Sequence, residues 1–119
     1  MKQENVVVLK SKAFAIRIIR LYQYLKNEKK EYILAQQILR CGTSIGANVK
    51  EAVRAQTKPD FITKMNISLK EASETEYWIE LLYETNYLTE DEYKSILKEC
   101  VERIKILTSI VKTSKIESL

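Results

Sequence analysis

The sequence predicts an all-α protein, an antiparallel up-down-up-down four-helix bundle. Three observations carry that expectation. The chain has 119 residues but only two glycines and one proline, so it turns rarely and must run in few, long elements. Apolar residues recur at three- and four-residue spacings in four successive runs. The gaps between runs are short, which sets consecutive helices antiparallel. The length suits one domain, 1–119, with one core.

The first helix is expected over about 6–26, after a polar start, Met1 to Asn5, that frays. Phe14, Ile18, Leu21 and Leu25 form its core stripe. Ile16 and Ile19 point elsewhere. They are either scattered surface isoleucines or a second buried side, against another subunit. Asn27 to Glu31 is a charged connection. The second helix is expected over about 32–56, with Leu34, Ile38, Cys41, Ile45, Val49 and Ala52 toward the core. Both glycines, Gly42 and Gly46, fall inside it, each costing about 1 kcal/mol relative to alanine. Four residues apart, they share one face with Ala35 and permit close approach by a neighbouring helix. On the other flank stand Gln37, Ser44, Asn48, Glu51 and Ala55, with Arg40 further round. This strip is either a half-exposed polar face or a polar network shared with another helix or subunit.

Thr57-Lys58-Pro59-Asp60 is the clearest break, since proline is tolerated in a first helical turn and Asp60 complements the dipole there. The third helix is expected over about 59–85. Phe61, Met65, Leu69, Ala72, Ile79 and Tyr83 share one face, with Glu76 in its middle needing a partner. A second face carries Ile67, Glu71, Glu74, Trp78 and Leu81, and reads as another burial surface with Trp78 as packing anchor, or else as a stacking platform for a ligand. After Asn86-Tyr87-Leu88, Thr89 and Glu92 form a capping box that opens the fourth helix, expected over about 89–113. Its stripe is Tyr93, Ile96, Leu97, Cys100, Ile104, Leu107 and Val111, with a loose tail beyond. That helix is amphipathic on one side only and is expected as the outer wall, while the two-sided first and third helices point to a bundle that self-associates.

Composition narrows the function classes. There is no histidine, which removes the commonest general acid/base and the commonest metal ligand. No Glu-x-x-His pair, phosphate loop or nucleophile with a base is visible, so no enzyme activity, cofactor or metal is expected. Glu51, Glu71, Glu74 and Glu76 are the only carboxylates weighed as oxygen ligands for a cation. Cys41 and Cys100 lie on apolar stripes and read as buried free thiols rather than a disulfide. Without a signal peptide or a long apolar run, the expected location is cytoplasmic, away from any membrane. Net charge is +4, enough to permit contact with nucleic acid or an acidic protein but not to require either.

The segments Thr43-Ser44-Ile45-Gly46-Ala47-Asn48…Glu51-Ala52 and Leu69-Lys70-Glu71…Glu74-Thr75-Glu76-Tyr77-Trp78 occur together and in order. With Phe14-Ala15-Ile16-Arg17-Ile18-Ile19, they resemble the bacterial ribosomal RNA intervening-sequence proteins over nearly the whole chain. Cys41 and Thr57 stand where serine is usual in that family. The resemblance implies a four-helix bundle assembled as a ring-shaped homopentamer. It also implies kinship with accessory proteins of diversity-generating retroelements, which bind nucleic acid through a basic surface.

The leading expectation is therefore a non-catalytic, oligomeric accessory protein that contacts RNA or DNA phosphates. Its candidate contacts are Lys10, Arg17, Arg20, Lys26, Lys29, Lys30, Arg40, Arg54 and Lys58. Its candidate oligomer interface is Ile16, Ile19, Ser44, Asn48, Glu51, Ile67, Glu71, Glu74, Trp78 and Leu81, with Gly42 and Gly46 as close-packing positions. The alternative is a structural homo-oligomer that captures a protein partner. Convergence of the basic residues on one face separates the two.

Overall fold

Helices α1 (Lys2–Asn27), α2 (Ile33–Val53), α3 (Lys58–Glu84) and α4 (Glu90–Glu117) make up the regular structure. The computed structural model describes residues 2–117, with side chains from Asn5 onward, and no strand occurs among them. The polar start expected to fray is helical from Lys2, and the tail expected to be loose stays helical to Glu117. Val7 and Ser11 extend the α1 core stripe two turns earlier than Phe14, and Ile110 and Ser114 join Val111 at the end of α4. Packing, not propensity, carries both helices outward.

The inner boundaries follow local chemistry. The Glu31 carboxylate accepts from the Ile33 N–H at 3.1 Å and the Leu34 N–H at 2.9 Å, placing negative charge on the start of α2. The sequence pattern of α2 continues to 56, but the helix stops at Val53. There the Arg54 N–H turns back to Glu51 O at 3.2 Å and Ala55 N–H to Ala52 O at 3.0 Å. Thr57 must be extended to cap α3, with φ −130° and ψ 155°, and its hydroxyl accepts from the Asp60 N–H at 3.2 Å. The capping box at α4 forms in both directions. The Glu92 N–H donates to Thr89 Oγ1 at 3.2 Å, and the Thr89 N–H to Glu92 Oε1 at 2.8 Å.

Each helix packs on its neighbours in sequence, and α1 also meets α4 along a sparser seam. Among the described residues the backbones of diagonal pairs stay apart, with side chains of all four helices filling one core between them. Contacts across each seam run in opposite chain directions. Ser68 donates to Ile45 O at 2.8 Å and Lys64 meets Glu51 at 3.0 Å, while Arg40 meets Glu71 and Glu74 further along α3. Cys100 faces Ala72 O, and Tyr83 stacks on Tyr93 at 4.1 Å. The helices thus alternate in direction within a body 48 Å long and about 20 Å wide. One end gathers the α1–α2 and α3–α4 connections. The other gathers Val53, Lys58 and Glu117.

The buried face of α3 is only in part the one the apolar pattern predicts. Met65, Ser68, Ala72, Thr75, Ile79 and Leu82 are buried, whereas Leu69, Glu76 and Tyr83 are only half-buried. The helix is rotated so that two small hydroxyls face α2. Ser68 finds the Ile45 carbonyl, and Thr75 donates to Glu71 O at 2.7 Å beside the Cys41 sulfur. Glu76 consequently leaves the core. In α4, Arg103 enters the stripe at 4% exposed, where the pattern places only apolar residues. Cys41 and Cys100 are buried and unbridged. Burial pushes their thiols up to about 11 and about 12, so both stay protonated at neutral pH.

Candidate nucleic-acid interface and contact faces

The nine nominated basic residues do not converge on one face of the subunit. Four are neutralised by carboxylates of the same chain. Lys10 lies 3.7 Å from Glu102, and Arg17 is bound to Glu99 and donates to Ser95 Oγ at 2.9 Å. Arg40 bridges Glu71 and Glu74, and Lys58 meets Glu117 at 3.0 Å. Arg54 and Lys58 belong to one end of the bundle. Arg20, Lys26, Lys29 and Lys30 belong to the other, on the last turns of α1 and the connection after it. No carboxylate among the described residues bridges any of these four. Two are steadied by aromatic rings instead, Lys26 at 5.5 Å from the Tyr22 centroid and Lys29 at 5.8 Å from that of Tyr24. Lys30 turns the chain with φ 54°, in the left-handed region. What the geometry assembles is a basic end cluster.

The interface candidates divide into two separate patches. Ser44, Asn48 and Glu51 on α2 face Ile67, Glu71, Glu74 and Trp78 on α3 across one outer groove, with Leu81 on the outer side of the same stretch of α3. The Arg40 guanidinium ties the groove together by reaching both Glu71 and Glu74. The Trp78 indole N–H donates to Glu74 Oε2 at 2.9 Å. Asn48 and Ser44 turn back on their own helix, to Ser44 O and Arg40 O at 2.8 and 2.7 Å. The Glu51 carboxylate, bonded to Lys64, raises that ammonium above its usual range. Trp78 is half-buried and Ile67 exposed, so an apolar pair stands inside a charged frame.

The second patch is the outward face of α1. Ile16 and Ile19 are exposed there, and Leu9, which the sequence reading passed over, is 69% exposed two turns before Ile16. Since α1 and α3 stand diagonally across the bundle, the two patches lie on different sides of the subunit. Gly42 and Gly46 take part in neither. Both face α1 inside the subunit, where a Cβ on Gly42 would lie 2.8 Å from Ile18 and one on Gly46 would lie 3.3 Å from the Ser11 carbonyl oxygen. Glu51, Glu71, Glu74 and Glu76 are not gathered into a group that could hold a metal ion. Among the described residues no helix is long and apolar enough to cross a membrane.

A third feature was not legible in the sequence. Arg17, Arg20, Leu21 and Tyr24 of α1 close with Leu88, Glu92 and Ile96 around a pocket of about 300 Å³. It opens on the α1–α4 seam at the end that carries the basic cluster.

Residues 3–109 match the family described as 23S rRNA-intervening sequence protein. Among solved structures, the chain is similar to a protein of unknown function from the S23 ribosomal protein family of Bacteroides thetaiotaomicron. The two share 55% identity, with 92% of this chain and 98% of that one covered and a TM-score of 0.91. A search of curated proteins returns no significant match.

Proposed function

The chain belongs to the 23S rRNA-intervening sequence protein family, and we propose that it is a non-catalytic accessory subunit that assembles into a cyclic homo-oligomer and binds nucleic acid through its basic end cluster. The observation that carries this reading is the pair of unlike patches on different sides of the bundle. One is the apolar stripe of α1, and the other is the groove around Ile67 and Trp78. A head-to-tail contact buries one against the other, and if the rotation closes the product is a ring. The pentamer that the family resemblance implies is one such ring.

Cyclic symmetry repeats the end cluster on one rim of the assembly. Arg20, Lys26, Lys29 and Lys30 of each copy then add to a positive field that no single subunit holds. Phosphate contacts of this kind give a steep salt dependence and little sequence preference. The test is the mass of the native particle by light scattering, with salt-titrated RNA and DNA binding on the same sample. A ring whose log–log salt slope flattens in Lys29→Glu/Lys30→Glu supports the reading. A monomer overturns the assembly, and a ring that ignores nucleic acid at low salt overturns the binding. One observation favours a protein-capturing scaffold instead. Tyr32 and Ile33, beside the end cluster, are 54% and 77% exposed, an apolar edge suited to a protein surface.

A further inference from the structure

The geometry points to the α1–α4 pocket as a site for one unstacked nucleotide of a single strand, its base lodged on the apolar floor and its phosphates held by the cations at the mouth. This rests on the nucleic-acid reading above and adds to it a site that takes a base. The floor is Leu21, Leu88 and Ile96, of which the last two are almost fully buried. One wall is Tyr24, and Arg17 and Arg20 complete the lining on the α1 side. Arg17 is already bound to Glu99, but Arg20 has no carboxylate partner among the described residues, and a second such cation stands at the same ring, because Lys29 Nζ lies 5.8 Å from the Tyr24 centroid. An apolar slot with an aromatic wall and two available cations fits a flat, weakly polar group that carries negative charge. A nucleotide is such a group, and base–aromatic stacking beside backbone cations is how single strands are held.

The single carboxylate of the pocket separates a base from an acidic peptide. Glu92 Oε1 is held by the Thr89 N–H at 2.8 Å, so the capping box fixes the carboxyl group in place. Oε2 is left to accept a hydrogen bond, as an exocyclic amino group of cytosine, adenine or guanine would supply. A peptide carboxylate lodged on the floor in place of a base would meet Glu92 with no hydrogen-bond donor to offer it. At about 300 Å³ the pocket has room for one base.

The test uses the full chain and two fluorescent RNA strands of equal length and charge, one with bases and one abasic, at a single low ionic strength. The site requires the strand with bases to bind about tenfold tighter or more. Tyr24→Ala must remove that margin while abasic binding stays, and Arg20→Ala must weaken both strands. Because Tyr24 is half-buried, a second measurement stands apart from folding. Titration of the unaltered protein with cytidine monophosphate must shift the backbone amide resonances of Leu21, Leu88 and Ile96 before others. Equal binding of the two strands overturns the pocket and leaves phosphate contact standing. Failure of both strands, with an acidic aromatic peptide binding in a Tyr24-dependent way, overturns the pocket assignment and the nucleic-acid reading together.

Discussion

A methyl group placed on Gly42 should destabilise the bundle, and the same methyl should stabilise it once Ile18 is cut back. In the native structure a Cβ at position 42 lies 2.8 Å from both Cγ1 and Cγ2 of Ile18 and 3.2 Å from its Cβ. Ile18 is fully buried and β-branched, so in a helix it has one favoured rotamer and cannot swing aside. Gly→Ala in a helix interior gains about 1 kcal/mol. Overpacking a full core costs roughly 1–3 kcal/mol. The clash wins, and Gly42→Ala should lose about 1 kcal/mol net. Ile18→Ala alone should lose about 2–5 kcal/mol. In that background the contact is gone, and Gly42→Ala should gain about 1 kcal/mol from propensity. The cycle therefore predicts a coupling of about 2 kcal/mol with a change of sign. Urea unfolding of the four proteins reads it, at one protein concentration, because the proposed assembly would add stability by mass action. A Gly42→Ala protein more stable than the parent in the Ile18 background would refute the close α1–α2 approach.

Three further outcomes follow from buried or strained groups. Both thiols are raised by burial, Cys41 to about 11 and Cys100 to about 12 from an ordinary 9.0. Above pH 9 the unfolded chain loses these protons while the folded one keeps them, so stability is full below about 9 and falls between 9 and about 12. Replacing both cysteines with alanine should flatten that alkaline limb in urea titrations across the range. Arg103→Met should leave stability within about 1 kcal/mol of the parent or raise it. The reason is local: Arg103 Nε has no partner, its carboxylates stand 4.0 Å away, and Glu99 and Glu102 keep Arg17 and Lys10. A loss above about 3 kcal/mol on thermal unfolding would show instead that its position over the Phe14 ring holds the seam. Lys30→Gly should raise the unfolding midpoint by an amount equivalent to about 0.5–1 kcal/mol, since φ 54° strains a lysine and not a glycine.

The residues that misled the sequence reading share a cause. In α1 one apolar stripe dominates, and the core follows it. In α3 two stripes compete and share Met65, Ala72 and Ile79. Hydrophobicity favours the stripe with Leu69 and Tyr83. The structure takes the one with Ser68 and Thr75, because a hydroxyl is cheap to bury when a carbonyl stands within 3 Å. Size, which matters against the close-packed α2, is invisible to a scale of polarity. Arg103 escaped for the converse reason. The sparse α1–α4 seam leaves room for a long side chain, and the width of a seam is not written in either helix alone. The basic candidates were chosen by residue type, and type does not show which of them is already paired. Arg17 and the Glu99 that neutralises it stand 82 positions apart, and no local pattern joins them. The pocket has the same origin, since its two walls come from opposite ends of the chain.

The distribution of charge supplies an argument for the mode of assembly that neither patch supplies alone. Helix α1 holds six basic residues and one acidic, while α3 holds three basic and six acidic. The backbones of these diagonal helices stay apart, and part of the difference is spent on their neighbours, Lys10 and Arg17 on Glu102 and Glu99 of α4, and Glu71 and Glu74 on Arg40 of α2. What remains unpaired polarises the bundle across its width. Two copies brought together through α1 set like charges against one another, and so do two copies brought together through α3. Only the unlike pairing, the α1 stripe of one copy against the Ile67–Trp78 groove of the next, buries both apolar patches and is attractive at a distance as well. Under the proposed assembly, such a surface would disfavour the symmetric dimer and favour a repeating contact, which must either close or propagate. Charge at the rim of each contact also sets the rate and the salt dependence of assembly more than its final strength. Assembly and nucleic-acid binding would then weaken together as salt rises, the first through α1 against α3 and the second through the end cluster. Separating them requires changing Lys29 and Lys30, which lie beyond the last residue of α1, and leaving α1 intact.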